Sequence, residues 1–410
     1  MHIVTLLAPI RCGVYRFYCE LSRKMSARGH SITWLCSGAL HKRLMEGEEA
    51  DTDVIDGEIL VAGAQEIGER TKAIVQRIEA LSPTLVLCNA LGDQIDFNAV
   101  RYLPATVPRV LVMHNNSLAC YRAARAVREH VNATVAISPR IQEDLNSSYG
   151  FRRRRVELIP YSIDLAGFSA PEQLSASDGP LGILSHGRID KAQKGLLWLP
   201  EILAEFDRHA MDWELTISGD GPDLPELKGR FTEAGLAERV QYLGWTDPND
   251  VPGLMERHDV FLFPSRFEGF GKTLIEAMAG GCVPVASLLP GITDWIIEDG
   301  VNGLLFPVGD VKRAAAHLLD LWNDRNRLTA MRHDAREAAS KFSLDRMADS
   351  YEELFQEVVT QPAVIKPAEP LDDCRLAQGL RPAWWFHLPE PLKDRLRAAR
   401  EVARTHIRVP

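Results

Sequence analysis

Two acids, Glu268 and Glu276, stand eight positions apart in the stretch FLFPSRFEGFGKTLIEAMAGGCVPVA, residues 261–286. An apolar run, Val260 to Phe263, is stopped by Pro264 and Ser265, and a loop carrying Glu268, Gly269 and Gly271 leads into a helical pattern from Lys272. A strand–loop–helix junction of this kind gathers unpaired backbone N–H groups and the positive end of a helix dipole, which suits an anionic or hydroxyl-rich ligand. The glycines let it approach. Leu274, Ile275, Ala277 and Met278 supply the buried face of the helix, so both glutamates are free to face a ligand. A second cluster, SHGRIDKAQKG at 185–195, follows another predicted strand. There Arg188 and Lys194 flank a turn and Gly195 opens the next helix, and two fixed cations at a strand's carboxyl end fit a diphosphate. Solvated loop cations are the plain alternative. His114, after the predicted strand Val110–Met113, is either a catalytic or sugar-binding group or a structural histidine.

The elements that must position these residues alternate along the chain. An apolar strand over His2 to Ala8, a loop over Pro9 to Gly13, a helix with Val14, Phe17, Leu21 and Met25 on one face, and a strand over Ser31 to Cys36 open the chain as a strand–helix–strand unit. A helix over Thr71 to Leu81 and strands at Thr84–Cys88, Val110–Met113, Thr134–Ile137 and Val156–Ile159 complete a first doubly wound half. The composition turns to Ser, Ala, Pro, Asp and Gly from Phe168 to Pro180, and strands at 181–185, 213–218, 240–243, 260–263 and 283–286 then alternate with helices near 195–209, 222–234, 250–257 and 272–280. Two α/β domains are therefore expected, residues 1–170 and 171–343. A helix over 344–360 follows, expected to pack back on the first domain, and then a tail over 361–410 to which no role is assigned. The Gly-rich turn SGDGP at 218–222 reads as a tight turn after a strand.

With 410 residues, 46% hydrophobic and 25% charged, the chain is composed like a soluble globular protein, and a formal charge of -9 argues against nucleic acid as its main partner. The N-terminus MHIVTLLAPIRCG reads as a buried strand instead of a leader, so no secretion is expected, and no apolar run reaches the ~20 residues that span a bilayer. Seven cysteines without C-x-x-C spacing read as free thiols in a reducing compartment. Asp51-Thr52-Asp53 lies in an acidic surface stretch and reads as solvated; zinc spacing, a G-x-S-x-G elbow and a Walker lysine loop are absent from the sequence. Basic runs occur at Arg122, Arg125 and Arg128, at Arg152–Arg155, and in the tail after Trp384-Trp385-Phe386, where Leu392, Leu396, Ala399 and Val402 recur amphipathically. They suggest an anionic membrane surface as a further partner.

The segments EGFGKTLIEAMAGGCVPVAS, GRIDKAQKG, ISGDGP, VQYLG, PGITDWIIEDGVNGLLFPVGD, VAISPRIQEDL and VELIPYSID together resemble the family-four retaining glycosyltransferases of GT-B fold, also called group 1, over residues 1 to about 360. The resemblance implies a GT-B architecture, two Rossmann-like doubly wound parallel-sheet domains facing a central cleft. It implies a retaining, metal-independent enzyme, a hexosyltransferase, that moves a sugar from a nucleotide-diphosphate sugar to a glycan, lipid-linked or small-molecule acceptor. The nucleotide-sugar is a co-substrate, and no cofactor or metal is expected. Carried onto this sequence, Gly187, Arg188 and Lys194 would hold the donor diphosphate and Glu276 the ribose. Glu268, with Gly269, Phe270, Gly271, Lys272 and Thr273, would contact the sugar side, His114 would approach that sugar from the first domain, and Gly13 would line the cleft. Three positions depart from the family: Cys12 precedes Gly13 where two glycines are common, Tyr161-Ser162 stands where Asn-Gly is common, and Arg188 and Lys194 are one residue further apart than in many members. A cytoplasmic enzyme is expected, peripheral at the inner face of the membrane. The competing readings are a nucleotide-sugar epimerase or a sugar phosphorylase of the same fold, and a non-catalytic nucleotide-sugar-binding protein.

Overall fold

A computed structural model describes residues 1–9, 13–37, 56–60, 67–89, 95–151, 156–168 and 179–381, with 388, 389, 392, 393, 395 and 396. In chain order the first half runs β1 (His2–Leu6), α1 (Gly13–Ser26), β2 (Ser31–Ser37), β3 (Gly57–Leu60), α2 (Ile67–Leu81), β4 (Leu85–Asn89), β5 (Arg109–Met113), α3 (Leu118–Val127), β6 (Ala133–Ala136), α4 (Pro139–Ser148) and β7 (Val156–Leu158). The second half runs β8 (Leu181–His186), α5 (Leu199–Asp207), β9 (Trp213–Ser218), α6 (Leu224–Glu233), β10 (Val240–Gly244), α7 (Val251–Glu256), β11 (Val260–Phe263), α8 (Lys272–Ala279), β12 (Val283–Ser287), α9 (Thr293–Ile296), β13 (Leu304–Phe306), α10 (Val311–Asn323) and α11 (Arg325–Ala339). The long helix α12 (Leu344–Thr360) follows.

The chain divides into two compact units, Met1–Tyr161 with Leu344–Ala383, and Ser162–Ser343 with Trp384–Pro410. The division falls after Tyr161, ahead of the composition change at Phe168–Pro180. The first unit is a seven-stranded parallel sheet of order β3-β2-β1-β4-β5-β6-β7. Its central strands β4 and β5 are buried along their whole length, as a sheet covered on both faces requires. The amphipathic α1 buries Tyr15, Phe17, Tyr18, Leu21 and Met25, and α12 lies against it, burying Met347, Tyr351 and Phe355. The ion pairs between these helices, Lys24–Asp345 at 2.7 Å and Arg28–Asp349 at 2.6 Å, join partly exposed groups, so the apolar contact carries the association.

The second unit repeats the winding in six parallel strands, β10-β9-β8-β11-β12-β13. Its core gathers Ile183, Leu215, Val260 and Val285 from the sheet with Leu203, Phe206, Phe231 and Leu318 from the helices. Asp259 ties this core together: Oδ2 accepts from the Gly182 N–H at 3.0 Å, and Oδ1 accepts from Arg332 of α11 at 2.5 Å, a pair buried at both ends.

The sequence pattern missed β3, β13, the short α9 and the 3₁₀ segment Ile95–Arg101. Each is short, and β3 and β13 are four and three residues on sheet edges, too few for a periodicity to declare itself. The stretch between β13 and α12 is two helices, because Asp324 ends α10 and caps α11 by accepting from the Arg327 N–H. The triplet Asp51–Asp53, the run Arg152–Arg155 and the aromatics Trp384–Phe386 lie outside the described residues.

Past α12 the chain forms a strap across the first unit. Asn132 Nδ2 donates to the Ala363 carbonyl at 2.9 Å, the Lys366 N–H to Glu129 O at 2.7 Å, and the Glu369 N–H to Arg101 O at 2.9 Å. The Glu369 carboxylate pairs with the Arg101 guanidinium. Arg101 Nη1 and Tyr102 Oη both donate to the Arg375 carbonyl, at 3.0 and 2.9 Å. At Gly379 the strap presses on α3, where a Cβ would sit 2.5 Å from the Arg122 carbonyl. No residue from 362 to 381 is fully buried, so polar bonds and not apolar burial hold the strap. Glu369→Ala is therefore expected to raise tryptic cleavage after Arg375 roughly tenfold, the effect of about 1.4 kcal/mol on local opening, with little change in the main thermal transition. Limited proteolysis beside a melting curve checks it.

Candidate active site

The carboxyl ends of β8, β9 and β11 lie side by side, and glycines let their turns meet. Gly187 N–H donates to Ser218 O at 2.9 Å, and Gly219, at φ +132°, lies so close that a Cβ would stand 1.9 Å from Gly187 O. Gly221 is likewise barred to any side chain by Ile189 O at 2.2 Å. The SGDGP turn, unremarkable as a sequence, is thus the seat on which the Arg188 turn rests.

Asp190 shapes the next turn. Its Oδ1 accepts from the N–H groups of Ala192 and Gln193 at 2.8 and 3.3 Å, and its carbonyl accepts from the Lys194 N–H at 2.8 Å. Gly195 follows in the left-handed region at φ +62°, with Pro264 O 2.1 Å from where a Cβ would be. The turn is thereby locked against the end of β11, and Arg266 N–H donates to Gln193 O at 2.8 Å across the same seam.

The locked seam brings Lys194 to Glu268. Lys194 Nζ donates to Glu268 Oε1 at 2.7 Å, Ser265 Oγ donates to the same oxygen at 2.8 Å, and Gln193 Nε2 approaches Oε2 at 3.4 Å. Glu268 is only 5% exposed. Three donors thus hold this buried carboxylate in one orientation. Arg188, by contrast, is 62% exposed along its side chain and bonds Asp190 Oδ2 at 2.9 Å. Arg188 and Lys194 line one cavity with Gly187, Ser218, Phe263 and Ser265.

Gly269, Phe270 and Gly271 form the loop into α8, and Gly271 takes the cap position at φ +103°, a conformation that a side chain would strain. Lys272, Thr273 and Glu276 are half-buried on the face of α8 opposite the buried Leu274, Ile275, Ala277 and Met278. The second unit therefore assembles Gly187, Arg188, Lys194, Glu268, the glycine loop and α8 along one sheet edge. Gly13 and His114 belong to the first unit. Gly13 is exposed at the start of α1, with open space around a notional Cβ. His114 is buried at the end of β5, its Nδ1 2.5 Å from Tyr161 Oη and its Nε2 2.7 Å from Asn89 Oδ1, and burial pushes its pKa down to about 3. Sequence reasoning missed Ser265, Gln193 and Asp190. Only Asp190 left a signal, an Asp two residues before the turn it closes.

Residues 12–166 match the model of Glycosyltransferase Family 4, and residues 180–324 match that of Glycosyl transferases group 1. The chain belongs to the group 1, family-four glycosyltransferases. The alpha-D-kanosaminyltransferase of Streptomyces kanamyceticus is similar to it at 25% identity over 64% of this chain and 70% of its own. The lipopolysaccharide core mannosyltransferase LpsB of Rhizobium meliloti is similar at 31% identity over 49% of this chain and 61% of its own. The chain spans less than two thirds of several such relatives, such as LpsE of Rhizobium meliloti, of which it covers 53%. Among solved structures, HepE of Anabaena in complex with UDP and glucose superposes with a TM-score of 0.69 over 87% of this chain and 100% of its own, at 20% identity. Sucrose-phosphate synthase from Thermosynechococcus elongatus superposes with a TM-score of 0.72 at 18% identity, over 88% and 99% of the two chains. The fold is GT-B. The described residues contain no helix long and apolar enough to cross a membrane.

Because Lys194 and Glu268 meet across a backbone seam, Gly195→Ala tests the seam without touching a charge. The strained φ and the Pro264 contact are expected to push Lys194 off Glu268 and destabilise the second unit by ~1–3 kcal/mol, which denaturant unfolding checks.

Proposed function

We propose that the chain is a retaining glycosyltransferase that moves a hexosyl group from a nucleotide-diphosphate sugar to a glycan, lipid-linked or small-molecule acceptor without a metal ion. The observation that carries this reading is the convergence of Arg188 and Lys194 on one cavity beside Glu268, at the carboxyl ends of β8 and β11. Negative charge grows on the diphosphate as the glycosyl bond breaks, while the anomeric carbon becomes cationic. Arg188 and Lys194 supply the fixed positive charge that lowers the energy of that leaving group. Lys194 has three N–H donors and spends one on Glu268, so it can meet a phosphate oxygen without giving up its anchor.

Glu268, held by Ser265 and Lys194, orients groups and balances charge in this scheme. It does not act as a base. The backbone at Gly269–Gly271 faces the sugar side, and Glu276 takes the ribose hydroxyls. The acceptor attacks from the face that the diphosphate leaves, which retains the anomeric configuration. HepE of Anabaena was solved with UDP-glucose, which makes UDP-sugars the first donors to test, before GDP- and ADP-sugars. A Campylobacter jejuni relative, 28% identical, is named for transfer onto a diphospho-undecaprenol glycan, which makes a lipid-linked acceptor a natural second arm.

A cytoplasmic enzyme docking peripherally on an anionic membrane face completes the proposal. Of the three arginines on α3 and just beyond it, Arg125 is exposed, whereas Arg122 donates to Gln378 O at 3.3 Å and Arg128 to Tyr149 O at 2.8 Å. Membrane attraction would thus draw mainly on Arg125 and the basic tail sequence; binding to anionic vesicles that does not weaken with salt would remove this part.

Lys194→Ala is expected to lower kcat/KM at least a hundredfold, about 2.7 kcal/mol of transition-state stabilisation, and, because it leaves the buried Glu268 carboxylate without its cation, to lower the melting temperature as well while the chain stays folded at the assay temperature. Near-normal turnover would sink the diphosphate assignment, and loss of activity on chelation or an inverted product anomer would sink the mechanism.

A further inference from the structure

One polar network has no part in the transfer scheme above. It is enclosed in the first unit at the carboxyl ends of β1, β4 and β5. Asn89 Nδ2 donates to Leu6 O at 2.9 Å and to Thr5 Oγ1 at 3.1 Å. A carbonyl oxygen only accepts, so the Leu6 bond fixes the Asn89 amide with its nitrogen toward β1 and its Oδ1 away. Two groups then meet that Oδ1, Tyr18 Oη at 2.5 Å and His114 Nε2 at 2.7 Å. Both must donate. His114 therefore carries its proton on Nε2, and its other nitrogen, Nδ1, faces Tyr161 Oη at 2.5 Å.

In a neutral imidazole that Nδ1 is a lone pair, and the Tyr161 hydroxyl is its donor. Burial favours the neutral ring, whose further contacts among the described residues include the aromatic rings of Phe17 and Tyr18 at 5.8 and 6.0 Å. Both nitrogens are thus spent inside the unit.

We propose that Tyr161 is a positioning residue for the transfer reaction: by donating to Nδ1 it fixes His114 as the Nε2–H tautomer and turns the imidazole into an internal strut. The strut holds the start of the loop that runs through Asn115, whose Oδ1 accepts from the Ser117 N–H at 2.7 Å, into the cap of α3. His114 then holds this loop at the ligand edge of the first unit's sheet. The tautomer stands on geometry alone, whereas its part in turnover rests on the glycosyltransferase reading.

The test uses the full chain labelled with ¹⁵N. Long-range ¹H–¹⁵N spectra, with His114 assigned by its loss in His114→Gln, are expected to show one Nε2–H tautomer. Tyr161→Phe keeps the ring against Phe17, 5.0 Å away, and removes only the hydroxyl; it is expected to shift the His114 Nδ1 resonance and lower kcat five- to tenfold with donor KM little changed. His114→Gln serves only to assign the resonance. An Nδ1–H or mixed tautomer in the wild type overturns the proposal, as does a Tyr161→Phe indistinguishable from the wild type in spectrum and turnover. Should Tyr161→Phe fail to fold, the wild-type spectrum still decides. A wild type that transfers sugar from no nucleotide donor, yet shows the Nε2–H tautomer, would instead fail the functional reading and leave the network standing.

Discussion

The close approach of two strand-end turns is the constraint on which the second unit's site depends. Pro264 O occupies the space that a Gly195 Cβ would need, and this contact sets how far Lys194 stands from Glu268. The resulting ion pair is a weak source of net stability: removing a buried carboxylate from water costs several kcal/mol, and the attraction to a partly exposed ammonium roughly returns it. Its value is geometric. Ser265 and Lys194 share Oε1, so the carboxylate cannot rotate without losing two bonds, and the ammonium it holds keeps a fixed position at the cavity. A fixed cation stabilises developing charge more effectively than a solvated one, because it does not reorganise as the charge appears.

Both units solve the problem of locating such a site in the same way. Strand order reverses once in each sheet, between β1 and β4 in the first and between β8 and β11 in the second. At that reversal the connections leave to opposite faces and open a crevice at the carboxyl ends. Asn89 and His114 end β4 and β5 in one unit, and Arg188, Lys194 and Glu268 follow β8 and β11 in the other. Equivalent edges carry opposite characters: one is a neutral, internally satisfied network, and the other is a charged cavity with an exposed arginine.

The doubly wound architecture was legible in the sequence because parallel central strands are buried on both faces and read as unbroken apolar runs, as Leu85–Cys88 and Val260–Phe263 do. The chemistry-bearing residues were legible because glycines and charges at the ends of such runs have few other uses. What the sequence could not show is pairing across distance. Glu268 looked exposed in its loop and is 5% exposed in the fold, since Lys194 and Ser265 close over it. His114 could be read at its strand end as functional or structural, and the fold encloses it, because Tyr161 returns from 47 positions along the chain to cap it. The strap over 361–381 gave no periodic signal at all, for it is irregular backbone held by side chains of other elements.

That strap bears on how the first unit is stabilised. Asn98, Arg101 and Tyr102, in and just after the 3₁₀ segment, spend polar groups on the main chain of Arg375 and Ala377. Without the strap, the buried amide of Asn98 and hydroxyl of Tyr102 would need water as a replacement partner, and each exchange costs on the order of 1 kcal/mol where water reaches the site poorly. Behind them, Arg109 is fully buried and donates to the carbonyls of Val100, Leu103 and Pro104, closing the same segment from the inside. The segment Ile95–Arg101 is thus clamped between a buried guanidinium and an external strap. It makes up in polar bonds on both sides for the regular hydrogen-bond ladder that a 3₁₀ turn lacks. Because this segment ends just before β5, whose far end carries His114, residues after α12 help to set the strand on which the first unit's polar network is built.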